Sequence, residues 1–120
     1  MARVLIVDDS PTETQKLKAI LTRNGHEVFE ASSGEAGIEA ARVGVPDVVL
    51  MDIVMPGMNG FQATRQIKKD ASTGHIPVVI VTTKNQATDR IWGERQGASG
   101  YLVKPVEEKL LLKTISEVLG

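Results

Sequence analysis

The chain has 120 residues, enough for one domain, and carries 14 Lys and Arg against 15 Asp and Glu for a formal charge of −1. That balance implies no broad cationic surface for nucleic acid or anionic lipid, and 42% hydrophobic residues exclude the disordered class. Zero cysteines exclude disulfides, thiolate zinc sites and thiol catalysis.

In chain order, Val4-Leu5-Ile6-Val7 is an apolar run without alternation, the pattern of a strand buried on both faces. Ser10-Pro11 follows as an N-cap with proline at the first helical position, and Leu17, Ile20 and Leu21 share one face of a helix that Gly25 stops. Val28-Phe29-Glu30-Ala31 is a weaker strand, expected at a sheet edge where Glu30 reaches water. Ser32 and Glu35 have capping-box spacing ahead of an Ala-rich helix ending near Gly44. Val48-Val49-Leu50-Met51 is a second buried run, Phe61 to Lys69 a third helix, and Val78-Val79-Ile80-Val81 a third buried run. Gln86 to Gln96, closed by Gly97, is a helix with a poor apolar stripe, chiefly Ala87 and Ile91, and with Gly93 inside it. Tyr101-Leu102-Val103 is a short fourth buried run. Glu107 to Leu119 closes the pattern, with Leu110, Leu111, Ile115 and Val118 on one side. Strands alternating with helices predict an α/β domain, a (βα)5 doubly wound parallel five-stranded sheet covered on both faces. No run is long enough to cross a bilayer, and no secretory leader opens the chain, so a cytoplasmic location is expected.

Polar residues follow the apolar runs at positions that share one sheet edge. Asp8-Asp9 follows the first strand, Asp52 the third, Thr82 the fourth and Lys104 the fifth. Open α/β sheets bind ligands in the crevice outside the carboxyl edge, where strand order reverses. Three carboxylates crowded there resist ionising together, and a hard divalent cation relieves them. Magnesium suits carboxylate and carbonyl oxygens completed by water and a phosphoryl group. The lysine and the hydroxyl then face the incoming anion, which reads as a magnesium-assisted phosphoryl site.

These residues resemble the receiver domains of two-component response regulators. The resemblance rests on Val7-Asp8-Asp9-Ser10, on Met51-Asp52-Ile53-Val54-Met55-Pro56-Gly57-Met58-Asn59-Gly60, on Val81-Thr82-Thr83 and on Tyr101-Leu102-Val103-Lys104-Pro105, in the family's order and spacing. It implies a flavodoxin- or CheY-like fold with strand order 2-1-3-4-5, and a phosphoacceptor at Asp52, which takes its phosphoryl group from a phosphohistidine on a partner kinase. It further implies magnesium bound by Asp9 directly and by Asp8 largely through water, with Asp52 and the Val54 backbone carbonyl as further ligands. Lys104 would pair with the phosphoryl oxygens and Thr82 would move to bond one of them, letting Tyr101 swing inward. Lys104-Pro105 matches a cis peptide. The face made by the fourth helix, fifth strand and fifth helix would then shift between two arrangements and dock a downstream protein. Val54 and Lys84 occupy tuning positions two residues beyond Asp52 and Thr82. Val54 cannot orient a water, so slow self-dephosphorylation is expected, while Lys84 reads either as a phosphoryl contact or as a solvated lysine.

Ile53 to Gln66 and Trp92-Gly93-Glu94-Arg95-Gln96-Gly97-Ala98 are most similar to the PilH-type regulators of type IV pilus twitching motility, which implies a CheA-like histidine kinase as donor. The expected unit is a stand-alone receiver over residues 1–120 without an effector domain, a switch and no enzyme beyond its own phosphoryl transfer. The alternatives are a phosphate sink for a sister regulator, a small magnesium-dependent phosphatase and a phosphorylation-independent interaction domain; flavin binding is disfavoured for want of a phosphate-cradling loop after the first strand. No residue is placed as general acid for a leaving group, which counts against the phosphatase. His26 and His75 are expected in solvent-facing loops, Lys68-Lys69 as a solvated helix end, and Trp92 either packed on the sheet or open to a partner. Met51, Met55 and Met58 read as packing residues, and Gly57 and Gly60 as tight backbone turns.

Overall fold

A computed structural model describes residues 1–120. Strands and helices alternate throughout: β1 (Arg3–Val7), α1 (Pro11–Arg23), β2 (Glu27–Ala31), α2 (Gly34–Gly44), β3 (Val48–Met51), α3 (Gly60–Lys69), β4 (Val78–Thr82), α4 (Ala87–Arg95), β5 (Gly100–Val103) and α5 (Glu108–Leu119). Every strand pairing is parallel, as the alternation of runs predicted, and the sheet order is β2-β1-β3-β4-β5, as the receiver resemblance implied. No helix is long and apolar enough to cross a membrane.

The uninterrupted runs have a simple cause. Successive strand residues point to opposite faces, and both faces are covered. Val4, Ile6, Val48, Leu50, Val79 and Val81 pack with Leu17 and Leu21 of α1 and Leu111 and Ile115 of α5. Leu5, Val7, Val49, Met51 and Val78 pack on the other side with Ala41 of α2 and Ala63 and Ile67 of α3. Edge position explains the exceptions. β2 is half-open, as expected, and Glu30 pairs with Lys18 at 3.2 Å. β5, expected to be buried on both faces, is the opposite edge strand and buries only Leu102.

Helix ends differ from the sequence reading in small, explicable ways. Ser10 caps α1 by accepting from the Glu13 amide, and Gly25 takes φ +85° just past the helix. For α2 the cap is Ser33 instead of Ser32, because the helix starts at Gly34 and the Ser33 hydroxyl accepts from the Ala36 amide at 3.1 Å. An Asn59–Gln62 capping box, whose spacing is visible in the sequence, starts α3 one residue before Phe61. Leu110 is exposed rather than on the apolar side of α5, since it lies about 100° around the helix from Leu111. Ala87 and Ile91 of α4 are exposed too, and Gly93 is the one residue that α4 buries.

Candidate functional site

The sheet's hydrogen bonds continue past the strand ends and hold the site residues at the carboxyl edge. The Asp8 amide donates to the Ala31 carbonyl at 3.1 Å, the Asp52 amide to the Val7 carbonyl at 2.9 Å, and the Lys104 amide to the Thr82 carbonyl at 2.8 Å. Backbone parity then brings together side chains separated by up to 96 residues in the sequence. Thr82, expected just after the fourth strand, is instead the last residue of β4 and is fully buried.

The Lys104 ammonium donates to Asp8 Oδ2 at 2.7 Å and to Asp52 Oδ2 at 3.2 Å. All three side chains are nearly sealed from solvent. Asp8 Oδ1 accepts from the Ser10 amide at 2.9 Å, and Asp52 Oδ1 accepts from the amides of Ile53 at 2.7 Å and Val54 at 3.3 Å. Asp9 is exposed at the rim. Burial pushes the Asp8 carboxyl above its ordinary value, and the neighbouring Asp52 charge adds to that, against the opposing pull of Lys104 and the Ser10 amide. Burial alone would lower Lys104, but its hydrogen bond to Asp8 and the charges of Asp52 and Asp8 carry it upward, so it stays an ammonium. One cation therefore faces three carboxylates.

Carboxylate oxygens of Asp8, Asp9 and Asp52 lie within 4.8 Å of one another. An all-oxygen, anionic set of that size fits a hard divalent cation such as magnesium. Thiolate-seeking metals have no ligand, since cysteine is absent.

Gly60 shapes the loop behind the acceptor. A side chain there would place its Cβ 2.0 Å from the Asp52 carbonyl oxygen, so only glycine lets α3 start this close. The Gly60 amide donates to the Ile53 carbonyl at 3.0 Å and closes the loop. Gly57, at φ +74°, turns it. Val54 is exposed beside this loop.

On the β4–β5 side, the Lys84 amide lies 3.5 Å from the Thr82 hydroxyl oxygen, and the Tyr101 hydroxyl donates to the Lys84 carbonyl at 2.8 Å. The backbone of residue 84 thus touches both predicted switch side chains, while its own side chain is exposed. Tyr101 is half-buried, and burial together with the Asp89 charge raises its phenol, which keeps it a donor. The Lys104-Pro105 peptide is cis.

Other expectations are corrected by contacts. His26 is half-buried and its Nδ1 accepts from the Ala2 amide at 3.0 Å, a structural contact in place of solvent. Lys68 is no solvated helix end: its ammonium donates to the Ile76 carbonyl at 2.8 Å, and burial lowers its pKa. Its stem also fills the space over Gly97. His75 and Lys69 are exposed as expected, and Trp92 is 49% exposed, which settles it as open.

Comparison with known proteins gives this geometry a lineage. The family described as response regulator receiver domain matches residues 4–116. The chain is 66% identical to Protein PilH of Pseudomonas aeruginosa over 120 residues, covering 100% of this chain and 99% of that one. It is 40% identical over 114 residues to response regulator PleD of Caulobacter vibrioides, of which it spans only 25%. Among solved structures, chemotaxis protein CheY4 of Vibrio cholerae is 34% identical with a TM-score of 0.92 over 98% of both chains. A putative response regulator of Chloroflexus aurantiacus is 30% identical with a TM-score of 0.94, over 98% of this chain and 97% of that one. With three carboxylates and a lysine on the carboxyl edge of a 2-1-3-4-5 sheet, the chain belongs to the response regulator receiver domain family.

Proposed function

We propose that Asp52 accepts a phosphoryl group from a CheA-like histidine kinase, making the protein a phosphorylation switch in a chemosensory two-component pathway that controls type IV pilus twitching motility or a related taxis. The observation that carries this reading is the buried Lys104 ammonium spanning Asp8 and Asp52, with Asp9 open at the rim. The pilus assignment rests on the PilH-type motifs and on the 66% identity with PilH.

An Asp52 carboxylate oxygen attacks phosphorus, the bond to the donor histidine nitrogen breaks with its electron pair leaving on the ring, and an acyl phosphate results. Asp8, Asp9, Asp52 and the Val54 backbone carbonyl would hold magnesium, which when bound offsets the charge on the phosphoryl oxygens. Lys104 exchanges a carboxylate partner for a phosphoryl oxygen. The Thr82 hydroxyl leaves the Lys84 amide to donate to another. Tyr101 follows, because the backbone of residue 84 joins the two. The readout is the α4–β5–α5 face, where Ile91, Trp92 and Leu110 stand exposed for a downstream protein. Exposed, apolar Val54 orients no attacking water, so the acyl phosphate decays slowly, and Val54→Asn should speed its decay.

Incubation with magnesium and acetyl phosphate, read by intact mass, tests the proposal. A stoichiometric adduct that Asp52→Asn loses is expected; turnover of phosphomonoesters with no adduct would falsify it in favour of a phosphatase.

A further inference from the structure

Tyr101 is held by more than its hydroxyl. Its ring lies against α4 at Gly93, where an added Cβ would sit 3.4 Å from Tyr101 Cδ2 and 3.6 Å from Cε2. One turn earlier, the Arg90 guanidinium stands 5.0 Å from the ring centroid and its Nη1 donates to the Tyr101 carbonyl at 3.4 Å. The same residue therefore touches both the ring and the backbone of residue 101, from a helix that buries only one of its own residues. Arg90 enters no ion pair with a carboxylate, so its charge is directed to the tyrosine. Planar, weakly hydrated guanidinium suits an aromatic face better than an ammonium does.

We infer that Arg90 is a positioning residue that clamps Tyr101 in the place seen here and thereby ties α4 to β5. The clamp needs no phosphorylation to exist; its relevance to switching rests on the Asp52 reading above. Because Tyr101 reaches Thr82 through residue 84, anything that biases the ring also biases the hydroxyl that would meet the phosphoryl group. An exposed cation–π contact of this kind controls a population by about two- to fivefold.

Tyr101 is the sole tyrosine, so incorporating 3-fluorotyrosine gives a single 19F resonance that reports on this ring alone. The variants are Arg90→Leu, which keeps an apolar stem without the charge, and Arg90→Lys, which keeps the charge without the plane. Arg90→Leu should move the resonance or add a second line with the two positions redistributed by about two- to fivefold, and Arg90→Lys should fall between it and wild type. Arg90 is an exposed residue, so both variants are expected to fold. An Arg90→Leu spectrum superimposable on wild type overturns the inference, as does an Arg90→Lys spectrum displaced as far as Arg90→Leu. The same samples, given magnesium and acetyl phosphate, separate the two proposals. Failure of wild type to gain mass overturns the Asp52 reading alone, and the 19F comparison still decides Arg90.

Discussion

Helices α3 and α4 are almost the same length, 10 and 9 residues, yet they are attached to the sheet in opposite ways. α3 buries Gly60, Ala63, Thr64 and Ile67, a stripe at helical spacing, and its start is pinned by contact with the Asp52 backbone. α4 buries Gly93 alone and meets its neighbours through Gly93 against Ile80 and Tyr101 and through the Arg90–Tyr101 contact. The two helices teach a division of labour. Under the proposed function the acceptor side holds Asp52 in place, in keeping with an α3 fixed by packing. Under the same proposal the reporting side takes a second arrangement, in keeping with an α4 attached by a few contacts that are easily exchanged.

The comparison breaks first at the glycines. Gly60→Ala drives a Cβ into the Asp52 carbonyl, which cannot yield, and should cost about 4 kcal/mol or more in urea unfolding, with loss of the acetyl phosphate adduct. At Gly93 the nearest atom to an added Cβ is the Ile80 Cδ1 at 2.8 Å, the end of a flexible side chain. Gly93→Ala also gains about 1 kcal/mol of helix propensity, so a net loss as large as that of Gly60→Ala would refute the distinction.

The second test compares isoleucines. Ile67→Ala empties a fully buried site of α3 and should destabilise by about 3 kcal/mol, whereas Ile91→Ala on half-exposed α4 should stay within about 0.5 kcal/mol. Denaturation midpoints at constant slope give both numbers, and similar losses would mean that α4 is packed as tightly as α3.

A smaller effect is expected where the two regions meet. Lys68, near the end of α3, donates to the Ile76 carbonyl and packs over the turn at Gly97 that follows α4. Lys68→Met keeps the stem and leaves that carbonyl without its donor, for a loss of about 1 kcal/mol at neutral pH. Burial lowers the native Lys68 pKa below the ordinary 10.5, so between those values the unfolded chain binds more protons and this group's contribution to stability rises with pH. Stability measured towards pH 10 should rise less in Lys68→Met than in wild type, and parallel curves would count against the buried ammonium.

Much of the fold was legible because its signals are local. The runs at Val4, Val48 and Val78 lack alternation because both sheet faces are covered, and that requirement is written into every residue of those strands. The same logic misled at Tyr101-Leu102-Val103. The expected order already put this strand at an edge, but the run itself does not tell how far helices cover an edge strand, and β5 buries Leu102 alone. Site residues were legible for a related reason: strand ends of a parallel sheet share one edge, so Asp8, Asp9, Asp52, Thr82 and Lys104 were placed together by position alone. Arg90 and the half-buried Lys68 were not. Each is a charged residue on a helix, and only distances to Tyr101 or Ile76 distinguish it from a solvated neighbour such as Lys69.

The sequence by itself determined the alternation of strands and helices, the sheet edge on which carboxylates gather and the family to which those motifs point, since each depends on residue type and spacing. Tertiary structure alone decided that Lys104 joins Asp8 to Asp52, that the backbone of residue 84 meets both Thr82 and Tyr101, and that α4 is held so lightly. Apart from the short step from Thr82 to residue 84, those are contacts between segments distant in the chain, and their energies depend on separation and burial, which no local pattern encodes.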